Sequence, residues 1–300
     1  MIPDDANLSM SIPVEWRALR DHATKHIAAI ATLGAPAQTH CKVCASDAPL
    51  FDVLDFSKAC DKVLPVSGPT GIPVYYWRCN HCGFIFTRFF DDLTPTLWST
   101  LVYNDQYYRE VDPDYAERRP AMNAAQIHQL LRGQAEYWLG LDYGGGHGRT
   151  AELLRARGYR YDCHDPFGQV TTTVERIGHY NFCSTFEVAE HAPDPDGFLL
   201  HILQLCTPGK LAILVGTVTH DGHVDDERRL GWWYAAPRNG HISLHSRRSL
   251  NELARRHGLD CLSFSARTHL LTRGWNRREA WVWLARANMR TRLLRLLNHR

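Results

Sequence analysis

The sequence lacks the features of a membrane protein and of a protein that coats nucleic acid. It contains no run of 18 consecutive apolar residues, so no helix is predicted to span a bilayer. An excess of one charge is also missing, since 34 basic residues stand against 32 acidic ones, for a formal net charge of +2. This balance gives no electrostatic reason to expect nucleic acid or a membrane as partner. The composition, 44% hydrophobic and 22% charged, is that of an ordinary globular protein.

An export signal is missing as well. The sequence begins MIPDDANLSMSIPVEW, without the basic segment and apolar segment of a secretory signal peptide. Nine cysteines in such a chain favour a reducing compartment, where closely spaced cysteines indicate metal before disulfide. We therefore expect a cytoplasmic protein.

Four of the cysteines form two CxxC motifs, with Cys41 and Cys44 in the first and Cys79 and Cys82 in the second. Zinc prefers four tetrahedral ligands, and each CxxC turn presents two thiolates from one tight loop. The alternatives are two unrelated thiol pairs or a redox pair, but a redox motif lies between a strand and a helix, and neither pair does. The motifs predict a small zinc-ribbon-like module with a structural Zn²⁺, because four cysteines leave no coordination position for water.

A glycine-rich turn marks a second site further along the chain. The stretch Leu141–Gly148 (LDYGGGHG) follows the apolar start of a strand and precedes a helix that begins at Arg149. Glycines allow the backbone to turn sharply and to approach a ligand closely. A second strand, 159–164, ends in Asp165, whose carboxylate can accept hydrogen bonds from both ribose hydroxyls of a nucleoside.

The acid before the glycines indicates which nucleoside cofactor binds. A dinucleotide fold keeps its turn free of negative charge near the pyrophosphate, whereas Asp142 at the strand end suits a ligand that carries an ammonium and a sulfonium. The alternative is a glycine turn that serves only packing.

Four motifs then resemble, in order, those of class I S-adenosylmethionine (SAM)-dependent methyltransferases. DYGGGHG, GYRYDCHDP, TFEVAEHAPDP and LCTPGKLAILVGT resemble the glycine-rich motif, the ribose acid, the fourth-strand motif and the fifth-strand turn. The resemblance covers roughly residues 120–265, and the CxxC motifs before it are similar to bacterial methyltransferases with an N-terminal zinc-binding domain, often associated with sugar or polysaccharide modification.

This resemblance implies an α/β fold with a Rossmann-like, seven-stranded, mostly parallel sheet, and SAM as cofactor. One departure concerns the region after Asp165, where about 14 residues precede the fourth strand, too few for a usual helix, strand and turn. An acidic adenine contact from a third strand is therefore not expected. The cofactor-binding residues implied are Asp142, Tyr143, Gly144, Gly145, Gly146, Gly148, Asp165, Pro166, Phe186 and Glu187.

Acceptor chemistry is expected at the end of the fourth strand, in Glu187–His191 (EVAEH). Ligands of open α/β sheets bind outside the carboxyl ends of the strands. Methyl transfer from a sulfonium needs positioning and a base for the acceptor's proton, and Glu190 and His191 are catalytic candidates. The alternative role for His191 is to orient the loop or the cofactor.

A second candidate segment is 231–246, which combines aromatic side chains, an arginine and two histidines after the fifth strand. We expect His241 to act as a base or hydrogen-bond donor toward the substrate, with an aromatic lid and an arginine that grips phosphate or carboxylate. The alternative role for this segment is core packing plus a turn. A metal site between His241 and His245 is disfavoured, because the pattern between them predicts an extended stretch. The substrate-binding candidates are Trp232, Trp233, Tyr234, Arg238 and His245.

The chain divides by composition into five predicted parts. They are an N-terminal helical segment (1–38), the zinc module (39–90), a linker or cap (91–120), the Rossmann-like SAM-binding domain (121–286) and a basic C-terminal helix (287–300).

Together these features predict a SAM-dependent methyltransferase that acts by in-line transfer on a small molecule, a sugar or nucleotide-linked sugar, at carbon or oxygen. Two alternatives stay open at this point. One is an RNA methyltransferase, which the few basic residues of the zinc module support poorly. The other is a non-catalytic scaffold with the same fold, whose zinc module binds a protein partner; the intact glycine turn and Asp165 argue against it.

Overall fold

The computed structural model of the chain describes residues 14–32, 37–60, 69–104, 107–166, 174–276, 278–280, 282–283 and 285–286. The predicted basic helix at 287–300 lies outside these residues. None of the helices within them is long and apolar enough to cross a membrane. The described residues form two β-sheets, with the helices Val14–Ala31 and Pro95–Leu101 packed against the core of the first.

The α-helices with bounds in the described residues are α1 Val14–Ala31, α2 Pro95–Leu101, α3 Arg118–Leu131, α4 Arg149–Arg155, α5 Pro195–Leu205 and α6 Arg247–Arg256. The strands in the same residues are β1 Gln38–His40, β2 Asp47–Asp55, β3 Pro73–Arg78, β4 Ile85–Thr87, β5 Leu139–Tyr143, β6 Arg160–His164, β7 Phe182–Phe186, β8 Leu211–Gly216, β9 Ser243–Leu244, β10 Asp260–Ser263 and β11 His269–Arg273.

The N-terminal sheet is antiparallel, with strand order β1-β2-β3-β4-β9. Its fifth strand comes from far along the chain, because β9 pairs with β4 through Ile85 opposite Leu244 and Phe86 opposite Ser243. This pairing satisfies backbone groups that an edge strand would otherwise leave open. The predicted module boundary at residue 90 is thus too simple, since the sheet is completed by the C-terminal part of the chain.

The C-terminal sheet has the order β10-β11-β8-β7-β5-β6, with β5 to β8 parallel and β11 antiparallel to its neighbours. Every residue of β8 is buried, as expected for a strand covered on both faces. Because β5 pairs with β6 on one side and β7 on the other, the chain order reverses at β5. In open α/β sheets, the carboxyl end of such a strand is where ligands bind.

This sheet has six strands within the described residues, where seven were expected. In the described part of the connection between β6 and β7 there is no strand but a short 3₁₀ turn, Val174–Arg176, as the short stretch after Asp165 indicated. The short connection noted in the sequence, partly outside the described residues at 167–173, leaves too little chain for a crossover helix and a strand.

Two helix starts in this half form as the sequence indicates. Asp194 caps α5 by accepting hydrogen bonds from Asp196 N and Gly197 N. Ser246 caps α6 and exchanges hydrogen bonds with Ser249 in a capping box. These caps fix the chain just after His191 and just after His245.

The cysteine turns of the module are tied to the C-terminal half by hydrogen bonds to their carbonyl oxygens. His220 Nε2 donates to Gly83 O at 2.8 Å, and Ser246 Oγ donates to Cys82 O at 2.7 Å. Arg256 donates to Val43 O on the other turn. The two sheets therefore meet at the cysteine turns, and the module is part of the molecule's core.

Candidate active site

The glycine turn joins β5 to α4 in a backbone conformation that residues with a Cβ rarely adopt. Gly144, Gly146 and Gly148 have φ values of 75°, 56° and 80°, in the left-handed region that favours glycine. The amide of Gly146 donates a hydrogen bond of 2.7 Å to Asp165 Oδ2, so the turn and the predicted ribose acid are in direct contact. Gly145 is closely packed against Asp142 and Cys163.

Asp142 lies beneath this turn and is buried. Its carboxylate accepts a 2.7 Å hydrogen bond from Ser184 Oγ and another from Thr150, while Tyr161 donates to Ser184 at 2.8 Å. Burial raises the pKa of Asp142 to about 6, and the two hydroxyl donors partly offset that rise. Its contacts support the shape of the turn.

The other predicted cofactor residues have distinct surroundings. The Tyr143 hydroxyl lies 2.8 Å from His201 Nδ1 on α5, so its side chain is engaged with that helix. Phe186 packs against Gly216 on the neighbouring strand. Pro166 is exposed, directly before residues 167–173, which are not described.

A row of tyrosines from the predicted linker covers the turn. A Cβ at Gly146 would collide with the Tyr115 hydroxyl, and the Tyr115 ring lies 5.0 Å from that of Tyr108. Tyr103 continues the row toward His191, whose ring it approaches at 6.0 Å. Sequence reasoning missed these residues, although the aromatic density of 103–115 (YNDQYYREVDPDY) was the available signal.

The three predicted catalytic residues come together in space. One nitrogen each of His191 and His241 and a carboxylate oxygen of Glu190 lie within 4.8 Å of one another. His191 Nδ1 is 2.9 Å from Gly240 O, and His241 Nδ1 is 2.8 Å from Tyr234 O. Since carbonyls only accept, each Nδ1 carries the proton and each Nε2 keeps its lone pair.

Burial controls the charges of this cluster. It lowers the pKa of His191 to about 4 and places that of His241 well below its usual value, so both imidazoles are neutral at pH 7. Burial, and then the charge of Glu190, raises the pKa of Glu187 to about 7. Arg119 opposes that rise, with its Nη1 3.8 Å from the Glu187 carboxylate.

Glu187 also has an unusual backbone for its type, with φ at 56°. Strained non-glycine residues of this kind concentrate at functional sites. Arg119, on α3, makes an ion pair with Asp112 as well as with Glu187, so it connects the residues of the cap to the end of β7.

The segment 231–246 is mostly buried, which corrects the prediction of an exposed aromatic lid. Trp232 is 6% exposed and stacks on His223, and Tyr234 is 1% exposed and donates its hydroxyl to Glu190. Trp233, at 43% exposed, lies under Arg267. The segment packs inward because its aromatics belong to the core shared with the module.

Arg238 and His245 differ in their relation to the cluster. Arg238 is buried, donates to Val102 O at 3.0 Å and lies over the Tyr107 ring, close to the tyrosine row. His245 packs against Phe84 of the module and faces Ser249 Oγ at 3.3 Å. It lies in the interface between the halves, where the expected contact with substrate has no support.

The four cysteines of the CxxC motifs also meet. Their sulfurs lie within 4.8 Å of one another, with Cys41–Cys82, Cys44–Cys82 and Cys44–Cys79 separations of 3.6, 3.6 and 3.5 Å. A tetrahedral zinc with Zn–S bonds of about 2.3 Å sets its sulfurs about 3.8 Å apart. Ala45 and Gly83 follow the two motifs with positive φ, as such turns require. The arrangement is compatible with zinc.

Part of the chain matches a known protein family. Residues 115–263, just under half of the chain, match a family model described as a methyltransferase domain. No curated protein matches the sequence. Residues 115–263 are therefore similar to a methyltransferase domain.

Solved structures with partial similarity are also methyltransferases by name. The mitomycin 7-O-methyltransferase MmcR is 11% identical with a TM-score of 0.41, and the match covers 61% of this chain and 62% of that one. The plantazolicin methyltransferase BpumL, solved with S-adenosylhomocysteine (SAH), is 11% identical with a TM-score of 0.40, covering 64% and 87%. A possible histamine N-methyltransferase from Thermotoga maritima is 14% identical with a TM-score of 0.33, covering 51% and 91%.

Proposed function

We propose that the protein transfers a methyl group from SAM to a hydroxyl or an activated carbon of a small acceptor, a sugar or nucleotide-linked sugar. The observation that carries the proposal is the position of Tyr103. Its ring contacts His191, while burial and the charges of Tyr107, Glu190 and Asp165 raise its pKa. Tyr103 thus lies between the cofactor side and the acceptor side of one site.

On the cofactor side, the chain supplies contacts for a nucleoside. Asp165 accepts a hydrogen bond from the Gly146 amide, which places an acceptor carboxylate beside the turn, and carboxylates at the end of this strand suit ribose hydroxyls. The glycine turn lets the backbone approach the methionine portion, and Tyr108 and Tyr115 cover it. When bound, SAM supplies an electrophilic methyl on a sulfonium.

On the acceptor side, the proposed step breaks the S–CH₃ bond and forms an O–CH₃ or C–CH₃ bond. The acceptor's proton goes to Nε2 of His191 or His241, the nitrogen that each ring leaves available. The released product of the cofactor is SAH. Arg238, which lies over the Tyr107 ring, supplies a cation near this position, and a guanidinium suits the phosphate of a nucleotide-linked sugar.

For the module, we propose one structural zinc on Cys41, Cys44, Cys79 and Cys82. Four thiolates close the coordination shell, so the ion fixes shape and takes no part in transfer. Its structural effect reaches the acceptor side directly, since Tyr76 on β3 donates its hydroxyl to His241 O at 2.9 Å.

Calorimetric titration with SAH tests the cofactor half of the proposal. We expect micromolar binding by the wild type and a loss of about 10- to 100-fold in Asp165→Ala, the effect of removing charge-assisted hydrogen bonds. Asp162→Asn is the matched control, because that carboxylate lies on the same strand but bonds Arg176 and Tyr180. A folded wild type that does not bind SAH would overturn the proposal.

The acceptor is then sought by mass spectrometry, as a gain of one methyl group on nucleotide-linked sugars incubated with the protein and SAM. His241→Gln should abolish the product while SAH binding stays at the wild-type level. Unchanged turnover in this variant would remove His241 from the mechanism.

A further inference from the structure

Glu190 is a buried carboxylate with an incomplete set of partners. It is fully buried, and Tyr234 donates to its Oε1. By hydrogen-bond geometry its Oε2 has no partner among the described residues, although the Thr217 hydroxyl approaches the carboxylate. None of the ion pairs formed within the described residues includes Glu190.

Such a carboxylate is costly to bury. Buried charges in proteins are paired, hydrogen-bonded or bound to a metal ion. The nearest cation of the cluster, Arg119, is already engaged by Asp112 and Glu187. Lys58 donates to the carbonyls of Trp232 and Ala235 instead. The partner that Glu190 Oε2 requires is therefore missing among the cationic side chains around it.

The two histidines beside Glu190 have the arrangement of metal ligands. Each donates its Nδ1 proton to a backbone carbonyl, Gly240 O for His191 and Tyr234 O for His241. Metal-bound histidines characteristically make this second hydrogen bond, which fixes the tautomer and the ring orientation. Both rings therefore hold an Nε2 lone pair in the same buried region as the unpartnered carboxylate oxygen.

We propose that Glu190, His191 and His241 bind a divalent transition-metal cation, separate from the zinc at the four cysteines. Two imidazoles and one carboxylate form a set that holds Mn²⁺, Fe²⁺, Co²⁺ or Zn²⁺ and leaves coordination positions open. The donor atoms lie within 4.8 Å of one another, so closing around a cation about 2.1 Å from each needs shifts of roughly 1 Å. Side-chain rotation supplies shifts of this size.

The inference rests on the proposed function and deepens it. A cation here would lie on the acceptor side, beside Tyr103, where an acceptor hydroxyl can take an open position. Binding to the cation would lower the hydroxyl's pKa, and its proton would pass to solvent or to the Glu187 carboxylate instead of to an imidazole. The S–CH₃ bond would still break as the O–CH₃ bond forms, with no change in oxidation state.

Mn²⁺ is the probe that separates this site from the cysteines, because hard Mn²⁺ competes poorly for thiolates. Free Mn²⁺ is followed by electron paramagnetic resonance during titration of the zinc-loaded protein. We expect one Mn²⁺ per chain in the wild type and at least 10-fold weaker binding in Glu190→Gln and His191→Gln. The matched control is His223→Asn, an exposed histidine of the same region, which should bind Mn²⁺ as the wild type does.

Thermal unfolding shows whether each variant is folded. Because two different metal ligands are replaced, the test still works if one of the two variants does not fold. Mn²⁺ binding that neither folded variant weakens, or its absence in the wild type, would overturn the metal proposal. SAH titration on the same samples keeps the two proposals apart. Normal SAH binding without Mn²⁺ binding would leave the methyltransferase with an imidazole base, whereas Mn²⁺ binding without SAH binding would count against the proposed function.

Discussion

The proposed site has a cofactor half and an acceptor half, and the two are built in different ways. The cofactor half comes from one stretch, 139–165, in which a strand, a glycine turn, a helix and a second strand bring Gly146 and Asp165 into contact. The acceptor half draws on distant parts of the chain, since Glu190, Tyr234 and His241 meet only through the tertiary fold. The first half is a local motif, and the second depends on the packing of the whole molecule.

The module accounts for much of this dependence. Thr87 N donates to Ile242 O, and Ile242 N donates to Glu190 O at 2.9 Å, so a module strand, the segment after His241 and the end of β7 are joined in series. Ser243 Oγ adds a 2.6 Å bond to Ala192 O. The acceptor residues are thus positioned by hydrogen bonds that lead to the module. The glycine turn is positioned by its own strand and helix.

The largest expected effect comes from breaking the module, in Cys82→Ser. Loss of one thiolate should remove the zinc, whose binding contributes on the order of 10 kcal/mol to folding in small zinc modules. We expect zinc content to fall from one ion per chain toward zero and amide exchange at Ile242 and Ser243 to rise sharply. SAH affinity should change much less, because the cofactor half does not depend on these contacts.

Cys261→Ser is the control for that variant, since Cys261 lies on β10 at the far edge of the other sheet. It should keep both zinc and slow exchange. If Cys82→Ser lost SAH binding as completely as it lost zinc, the two halves would be one cooperative unit and the contrast drawn between them would be wrong.

The same contrast explains what the sequence could predict. The glycine turn and Asp165 belong to one local motif, so glycines at fixed spacing and an acid after the next strand were sufficient to predict their contact, while their role toward SAM stays a prediction. The meeting of the four cysteines was also predictable, because CxxC spacing is set within one turn, and zinc at that cluster stays a prediction. Of the seven strands that the resemblance implies, the described residues form six, and the short connection after Asp165 had already indicated where one would be missing.

The acceptor half could be predicted only in part from the sequence. Glu190, His191 and His241 were identified by residue type, but nothing in the sequence places His245 in an interface or Trp232 and Tyr234 in a core. Burial of these side chains is decided by the pairing of β9 with β4, a contact across about 160 residues. Tyr103 and Tyr115 were missed because their role depends on the cap folding back over the turn.

A smaller effect is expected from Gly146→Ala, which tests the cofactor half alone. The alanine would have to keep the left-handed φ of Gly146, and its Cβ would collide with the Tyr115 hydroxyl. We expect a cost of about 2–4 kcal/mol in the free energy of unfolding and a loss of SAH affinity of at least about 10-fold. Denaturant unfolding and calorimetry measure the two quantities.

The matched control is Gly158→Ala, at φ 84° with no atom within 4 Å of the added carbon. This variant carries backbone strain alone, so it should lose about 1–2 kcal/mol of stability and bind SAH normally. Equal SAH affinities in the two alanine variants would mean that the glycine turn does not contact the cofactor. Mn²⁺ binding at the acceptor half should be the same in both.

The smallest expected effect concerns the two buried carboxylates, one in each half. Asp142 has hydroxyl donors and a pKa raised to about 6 by burial, from a usual value of 3.8. A raised folded-state pKa gives stability that is complete below about pH 4 and lost as the pH rises through 6. Asp142→Asn removes this loss, so its unfolding free energy relative to wild type should increase between pH 4 and pH 7, by up to about 3 kcal/mol.

Denaturant unfolding at several pH values measures that difference. Ser184→Ala is the control, because it should change the pH dependence of stability in the opposite direction. Removing the Ser184 donor takes away a bond that favours the charged carboxylate, so the pKa should rise further and the loss of stability toward pH 7 should deepen. A flat difference for Asp142→Asn would show that hydrogen bonds alone hold Asp142 charged at no cost. Hydroxyls also approach Glu190, from Tyr234 and Thr217, so the outcome for Asp142 would show how far such donors can stabilise a buried carboxylate without a cation.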